Sequence, residues 1–243
     1  MTTATLLIAI ALALVHIFGA RVLSLETAPR SHWLSVGAGI TLAFVFLYLL
    51  PELDYFRRIL AEHRQLRQIE ALIYLVALAG VTLYYGLEHL AYRVRKHHHS
   101  TPSDEASFGH DYVFWLHMTW YALYNVIIGL LLLHGQQETV RGLGLFGAAM
   151  GIHFLTIDAA MRHHHRHIYR TTGRWVLATA VMVGWLIGLV APLPTTVLAL
   201  VTAFLVGAML LNAIKDELPS SRKTRFVPFV LGATVATAIL LMM

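Results

Sequence analysis

The chain has 243 residues, of which 58% are hydrophobic and only 13% are charged, a balance that excludes an ordinary soluble domain. Its formal net charge is +5, but no aromatic-basic platform accompanies that charge, so we expect no nucleic-acid partner. The sequence contains no cysteine, which excludes disulfides and thiolate metal sites. We therefore predict a single integral membrane domain over residues 1–243, all-α in fold class and held in a lipid bilayer.

About eight apolar runs, each of roughly the 17–25 residues needed to cross the hydrocarbon core, follow one another along the chain. They lie near 3–20, 31–51, 70–92, 111–134, 142–161, 174–191, 195–214 and 226–243. The first run lacks the basic start of a secretory signal and is predicted to be a membrane helix. Glycines within the runs favour close packing of helices in lipid.

Two longer gaps interrupt the runs. The charged segment 52–69 is predicted to form a short amphipathic helix at the surface. The segment 93–110 is polar, contains histidines and Pro102, and is predicted to be a flexible cytoplasmic linker. This linker divides three helices (1–92) from five (111–243).

The distribution of basic residues predicts the orientation. Of the 18 Lys and Arg residues, thirteen fall in alternate gaps between the apolar runs. These are Arg21, Arg30, Arg93, Arg95, Lys96, Arg162, Arg166, Arg170, Arg174, Lys215, Arg222, Lys223 and Arg225. Because cytoplasmic loops collect Lys and Arg, we predict a plasma-membrane protein of the bacterial inner-membrane type with both termini outside.

Polar residues at membrane depth are costly, so those inside the runs are the candidate functional residues. In the fourth run His117, Tyr121 and Tyr124 share one helical face, and Asn125 follows directly. The fifth run carries His153, which Asn125 could face from the neighbouring helix. We predict His153 and Asn125 as buried metal ligands; a hydrogen-bonded core histidine is the alternative.

Asp158 follows His153 by five residues, which places the two side chains about 140° apart on a regular helix, too far round to hold one ion together. Asp158 is predicted either to be a further ion ligand or to pair with Arg162, one turn later. His16 stands alone in the first run and is predicted to be structural.

Histidines are also concentrated in two clusters that the charge pattern assigns to the cytoplasm. They are His97, His98 and His99, and His163, His164, His165 and His167. Imidazole suits zinc, copper, nickel and iron, so these clusters are predicted to capture metal ions. If the fifth helix continues past Met161, His163 and His167 lie one turn apart and could bind one ion. The alternative is a solvated, partly charged loop near lipid headgroups.

The second and seventh runs end alike, in LYLLPEL (47–53) and LNAIKDELP (211–219). The two helices would cross the membrane in opposite directions, which is typical of an inverted repeat in a 3+2+3 arrangement. Chance similarity between two leucine-rich helices is the alternative.

In the order of its predicted helices, in the ends of its second and seventh runs and in its histidine-containing linker, the chain resembles the ZIP (Zrt/Irt-like) family of metal transporters. The resemblance extends over most of its length. The resemblance rests on GAGITLAFVFLYLLPEL (37–53), on AIKDELP (213–219) and on the histidines that follow the third helix. The chain departs from the family where the family has His-Asn-x-x-Asp-Gly and here YNVIIG (124–129) occurs. It departs again where the family has His-Glu-x-x-Glu or His-Glu-x-x-His and here HFLTID (153–158) occurs. Tyr48 stands where the family has histidine.

The resemblance implies transport of a divalent metal ion, with zinc expected ahead of iron or manganese, as substrate and without a prosthetic group. The implied route passes between helices 2, 4, 5 and 7, with His153 and Asn125 at the midplane and Asp158 toward the exit. Further residues expected along the route are Tyr48, Glu52, His117, Tyr124, Asn212 and Asp216. A homodimer is also compatible with the resemblance.

Two rival functions remain open. A ZIP-like scaffold could have lost metal transport and act as a membrane partner or carry another solute, since the fourth-helix His and Asp of the family are missing. Membrane di-iron enzymes also place histidine boxes beside apolar helices, and His163 and His167 fit one His-x-x-x-His spacing. Such enzymes use His-x-x-His-His boxes, which this sequence lacks, so we expect a transporter rather than an enzyme.

Overall fold

The computed structural model describes residues 1–22, 30–62, 69–98, 103–135, 139–214 and 226–241, and over these residues the chain is helical without a strand. The helices are α1 (Thr2–Val22), α2 (Arg30–Phe44), α3 (Leu50–Glu62), α4 (Ile69–His98), α5 (Ser103–His134), α6 (Val140–His164), α7 (Arg166–Ile168), α8 (Arg174–Val190), α9 (Thr195–Asn212) and α10 (Phe226–Leu241). Two π-helical turns, Val45–Leu49 and Tyr169–Gly173, join α2 to α3 and α7 to α8.

Within the described ranges, seven helical stretches are long and apolar enough to cross a membrane, and α10 is a shorter apolar helix of 16 residues. In lipid, a helix satisfies its own backbone polar groups, and this is why an apolar chain of this kind adopts helices throughout. The chain is a multi-pass, all-α membrane protein, as the composition predicts.

The predicted linker over 93–110 is wrong in most of its length, because α4 continues to His98 and α5 begins at Ser103. The residues on either side of Pro102 include the good helix formers Arg, Lys, Ala and Glu, so the helices extend beyond the apolar runs that they contain. Only the residues 99–102 of this segment lie outside the described part.

The segment 52–69, predicted to form an amphipathic helix at the surface, is helical as far as Glu62, in the amphipathic α3; residues 63–68 lie outside the described part. In α3 the side chains of Leu53, Phe56 and Leu60 are buried, whereas Asp54 forms ion pairs with Arg57 and Arg58 on the exposed face. The helix α3 is continuous with α2 through the first π-turn. The amide of Leu50, the first residue of α3, donates to the carbonyl of Val45, five residues earlier. Proline has no amide hydrogen and clashes with the carbonyl four residues earlier, which accounts for a widened turn directly before Pro51.

Three helix pairs pack most extensively: α5 with α8, α2 with α10, and α4 with α9. Each pair has a glycine on both helices at the point of closest approach, and we call these contacts the glycine seams. Their members are Gly129 and Gly184, Gly39 and Gly232, and Gly80 and Gly207. A Cβ atom at any of these six glycines would come closer than 3.0 Å to a backbone atom of the partner helix. The absence of a side chain is therefore what permits this packing.

The helix α1 lies against α6 and α8 rather than in a glycine seam of this kind. A hydrogen bond joins α1 to α8, from Trp185 Nε1 to Thr5 Oγ1 at 3.1 Å. Toward its other end α1 carries His16, which is buried and faces α5 and α6. The fold thus brings the first span into the centre of the bundle, where its single histidine meets polar residues of two other spans.

Candidate functional site

The most concentrated group of buried polar side chains is built from α1, α5, α6 and the second π-turn, and we call it the His16 cluster. His16 Nδ1 lies 2.8 Å from Asp158 Oδ1, and His16 Nε2 lies 2.8 Å from Asn125 Oδ1. Asn125 and Asp158 are fully buried and His16 is 1% exposed. All three residues fall within apolar stretches long enough to cross a membrane. Asn125 lies near the middle of its stretch, and His16 and Asp158 lie toward one end of theirs.

The hydrogen bonds of Asn125 indicate where the protons of His16 lie. The Nδ2 atom of Asn125 donates to the carbonyl of Tyr121 at 2.7 Å, so its Oδ1 atom faces His16 and must accept. His16 Nε2 therefore carries a hydrogen. Lone pairs on both His16 Nδ1 and Asp158 Oδ1 would repel each other at 2.8 Å, so one proton lies between these atoms. The pair is neutral overall whichever atom holds that proton, which is how ionisable groups are tolerated inside a bundle.

Asp158 has a further donor from the second π-turn, because the hydroxyl of Tyr169 also donates to Oδ1. This turn follows a bend at His165, and its wider winding is marked by the bond from the amide of Arg174 to the carbonyl of Tyr169. Single π-turns of this kind occur often at functional sites. Here the turn accompanies a buried tyrosine that reaches back to Asp158, eleven residues earlier.

The second carboxylate oxygen of Asp158 is the least satisfied atom of the cluster. Asp158 Oδ2 is buried and has no hydrogen-bond partner among the described residues. It lies near the backbone of α1, since a Cβ atom on Gly19 would be 3.5 Å from it. A buried polar atom without a partner is rare and is expected to have a ligand, an ion or a water in the working protein.

His153 and Tyr124 lie beside the cluster without bridging it. The rings of Tyr124 and His153 are in contact with centroids 5.4 Å apart, and His153 is fully buried. Phe154, the next residue, stacks on the His16 ring at 4.5 Å. The amide of Asn125 thus faces His16, and not His153 as the sequence predicts. The hydrogen-bonding partners of Asp158 are His16 and Tyr169, and not Arg162.

A second polar group occupies the contact between α4, α5 and α9. His117 Nδ1 donates to the carbonyl of Val113 at 2.9 Å, and His117 Nε2 lies 2.7 Å from Glu88 Oε1. One turn deeper, Tyr84 donates to Asn212 Oδ1 at 2.6 Å, and the hydroxyls of Tyr84 and Tyr121 are 3.3 Å apart.

Tyr121 connects the two groups, because its carbonyl accepts from Asn125 while its hydroxyl contacts Tyr84. Hydrogen bonds thus run from Asp158 through His16 and Asn125 to the carbonyl of Tyr121. The hydroxyl at the other end of Tyr121 contacts Tyr84, which donates to Asn212 on α9. The predicted pathway residues Tyr124, Asn125 and Asn212 lie in or beside this chain of contacts.

The other predicted pathway residues are separate from it or lie outside the described part. Tyr48, in the first π-turn, stacks on Phe44 with centroids 4.8 Å apart and also contacts the ring of Phe146. Glu52 is buried in the first turn of α3. Asp216 lies outside the described residues.

The predicted cytoplasmic clusters are only partly described. His97 and His98 end α4 and His163 and His164 end α6, but their side chains, like the whole of His99, lie outside the described part. His165 forms the bend and packs edge-on against Phe114, and His167 is exposed in α7. The regular helix ends at His164, so the condition that would place His163 and His167 on consecutive turns of one helix is not met.

No group of three or more His, Asp or Glu side chains is arranged to hold a metal ion within the residues that the structure describes. The His16 cluster contributes one imidazole, one carboxylate and one amide, and both imidazole nitrogens are already hydrogen bonded. His16 could therefore act as a metal ligand only by giving up one of these hydrogen bonds, whereas Asp158 Oδ2 already lacks a partner among the described residues.

The position of His16 between Asp158 and Asn125 does not follow from the sequence, in which His16 stands alone in the first run. The available signal was the cost of a histidine within an otherwise apolar membrane helix, together with the need of the buried Asp158 for a proton or a cation. Spacing along the sequence shows which residues share one face of a helix. It does not show which faces of α1, α5 and α6 are turned toward one another.

Comparison with models of known protein families gives no match, and comparison with curated protein sequences gives no significant match. The resemblance to the ZIP family therefore rests on the residues of this chain alone.

Proposed function

We propose that this chain is a membrane transporter of divalent metal ions, with zinc as the first substrate to test, and that the His16 cluster and the neighbouring His153 form its ion-binding centre. The observation that carries the proposal is a fully buried carboxylate, Asp158, that converges with a histidine and an amide from two other spans and keeps one oxygen without a partner.

The chemistry of these residues supports this function. A divalent ion that leaves water must regain oxygen or nitrogen ligands and compensating negative charge. Asp158 would supply a carboxylate, Asn125 an amide oxygen, and His16 and His153 imidazole nitrogens. Because metal ligands must be deprotonated, the proton between His16 and Asp158 would leave as the ion arrives. Glu52, Tyr48, His117, Tyr124, Asn212 and Asp216 are proposed to flank the route, and the histidines near the Arg-rich gaps to receive the ion.

We also propose the 3+2+3 inverted repeat that the sequence indicates. In such a repeat α1 corresponds to α8, the continuous α2–α3 corresponds to α9, and α4 corresponds to α10. The two helices between them, α5 and α6, correspond to each other. Under this correspondence the α2–α10 contact becomes the α9–α4 contact, and the α5–α8 contact becomes the α6–α1 contact. The related contacts α2–α10 and α4–α9 are both extensive glycine seams. In the second pair, α5–α8 is a glycine seam, whereas in α1–α6 Gly147 meets the side chain of Ile8. Both termini are proposed to lie outside the bacterial inner membrane on the strength of the arginine distribution alone.

Flux through proteoliposomes tests the transport proposal. Purified protein should carry zinc, iron(II) or manganese(II) into vesicles, and Asp158→Asn should reduce that flux at least about tenfold, since the site loses its one formal charge. His134→Ala is the matched control, because His134 lies at the far end of α5, outside the cluster. Absence of flux above that of empty vesicles would remove the transport claim. Undiminished flux in Asp158→Asn would place the ion site elsewhere.

A scaffold without transport is the second candidate, and one observation favours it. Both ring nitrogens of His16 are engaged, and no group of three ionisable ligands is assembled in the described part of the chain. Equilibrium dialysis with zinc separates the two functions when the histidines at 97–99, 163–165 and 167 are replaced by glutamine. The transporter should still bind one zinc ion inside the bundle, whereas the scaffold should bind none.

A further inference from the structure

A basic pocket lies where the sixth span begins, beside the second π-turn, and its lining includes none of His16, Asn125, Asp158 and Tyr169. It has a volume of about 520 Å³ and is lined by Arg166, His167, Arg170, Thr171 and Arg174. The three arginines recur every four residues, so they follow one side of α7, the second π-turn and the start of α8. All the charged side chains among the described residues that line this pocket are basic.

An apolar groove begins where the basic pocket ends, and the two share Thr171. The groove has a volume of about 530 Å³ and runs between α5 and α8 along Ala122, Val126, Trp175, Val176 and Val183. It therefore extends from the arginines toward the middle of the α5–α8 seam. A cationic pocket that opens into an apolar groove on a membrane helix pair is complementary in shape and charge to an anionic amphiphile. The pocket would take the anionic headgroup, and the groove the apolar chain.

Arg174 provides an independent indication that a ligand belongs here. Its Nε atom is buried and has no hydrogen-bond partner among the described residues. Its guanidinium lies over the ring of Trp175, 5.3 Å from the centroid, which holds it where the pocket meets the groove. A buried N–H of arginine without an acceptor is costly, and a phosphate oxygen is an acceptor that guanidinium recognises well.

We propose that this pocket and groove bind one anionic phospholipid, with its phosphate on Arg170 and Arg174 and an acyl chain along Ala122, Val126 and Val183. Basic pockets between membrane helices on the cytoplasmic side recognise anionic headgroups, and this pocket lies in one of the Arg-rich gaps. The lipid would sit against the second π-turn, whose Tyr169 donates to Asp158, so an occupied site supports the segment that completes the His16 cluster. The proposal does not depend on which solute the protein carries.

Native mass spectrometry of the full-length protein with dioleoyl phosphatidylglycerol tests it. We expect one tightly retained lipid per chain, with dioleoyl phosphatidylcholine retained far less. The double variant R170Q/R174Q should bind phosphatidylglycerol about 30-fold more weakly, because each surface cation near an anionic leaflet contributes several-fold to affinity. Thr179→Trp, which fills the groove without changing charge, should also displace the lipid.

The control is Arg93→Gln against Arg170→Gln, since both are exposed arginines and both variants lose one positive charge in an Arg-rich gap. Only Arg170→Gln should weaken binding, by about fivefold. Equal losses in the two variants would mean general attraction to positive charge and would overturn the proposal. So would displacement of the lipid by millimolar inorganic phosphate with no effect of Thr179→Trp, because the pocket would then be a phosphate site. Disulfide cross-linking of two copies of the Thr179→Cys variant, in a lipid-free sample that also fails to take up phosphatidylglycerol, would assign the groove to a dimer contact instead.

Discussion

Two kinds of helix contact hold the described bundle together, and they differ in what they permit. In the glycine seams, backbone meets backbone closer than a Cβ atom would allow, so no ion or water can pass between the paired helices there. At the His16 cluster, α1 meets α5 and α6 through side chains whose hydrogen bonds can be exchanged for others. We therefore expect the paired helices to stay fixed at the glycine seams. If helices move apart, we expect them to do so at the His16 cluster.

The difference also concerns specificity. A seam tolerates neighbouring apolar residues of many kinds, but it fails when a side chain is added at the glycine. The cluster depends on particular atoms, because each buried polar group must find its partner. Three predictions distinguish the dependence of the cluster on particular atoms from the dependence of the seams on the lack of a side chain at glycine.

Removal of His16 should be the most damaging change. His16→Ala leaves Asp158 and Asn125 buried without their partner, and breaking a buried charged pair costs about 3–5 kcal/mol of stability. Thermal unfolding in detergent, followed by tryptophan fluorescence, measures the loss, and His134→Ala is the control with little expected effect. In the His16→Ala background, Asp158→Asn should recover part of the loss, because the uncompensated charge is removed. A further loss in the double variant would mean that Asp158 is stabilised by other contacts.

Closure of a glycine seam should come next. Gly80→Ala places a Cβ atom against the backbone of Phe204 in α9, and such overpacking costs about 1–3 kcal/mol. Gly86→Ala lies on the same helix, with nothing within 4 Å of the added atom, and should be neutral or slightly stabilising because alanine is the better helix former. Denaturation midpoints of the two variants check this directly. Equal midpoints would show that α4 and α9 are not in the intimate contact described.

The smallest of the three effects is expected at the π-turn. Tyr169→Phe removes one donor from Asp158 but leaves His16 in place, so the loss should be about 0.5–1.5 kcal/mol, the usual net contribution of one hydrogen bond. Tyr85→Phe is the matched control, since Tyr85 is 61% exposed on α4. Unfolding temperatures of the two variants in the same detergent give the comparison. A loss as large as that of His16→Ala would make Tyr169, and not the histidine, the principal partner of Asp158.

Much of the fold follows from one-dimensional patterns. Run length and composition predict the membrane helices, and the alternation of apolar and charged residues after Pro51 predicts the amphipathic α3. The linker prediction failed because polarity was taken as a sign of irregular structure, although polar residues outside the lipid continue a helix readily. The candidate site was predicted in part: Asn125, His153 and Asp158 are all buried, but the partner of Asn125 and Asp158 is His16.

The sequence alone specifies that the chain is helical, that its apolar runs are long enough to cross a membrane, and which few polar residues those runs contain, because hydrophobicity and helix period act locally. Only the tertiary structure decided that His16 meets Asp158 and Asn125, 142 and 109 residues away, and that six glycines fall opposite partner backbones. These contacts depend on the rotation and depth of each helix relative to its neighbours. Those quantities are set by the packing of all the helices together, and no single segment encodes them.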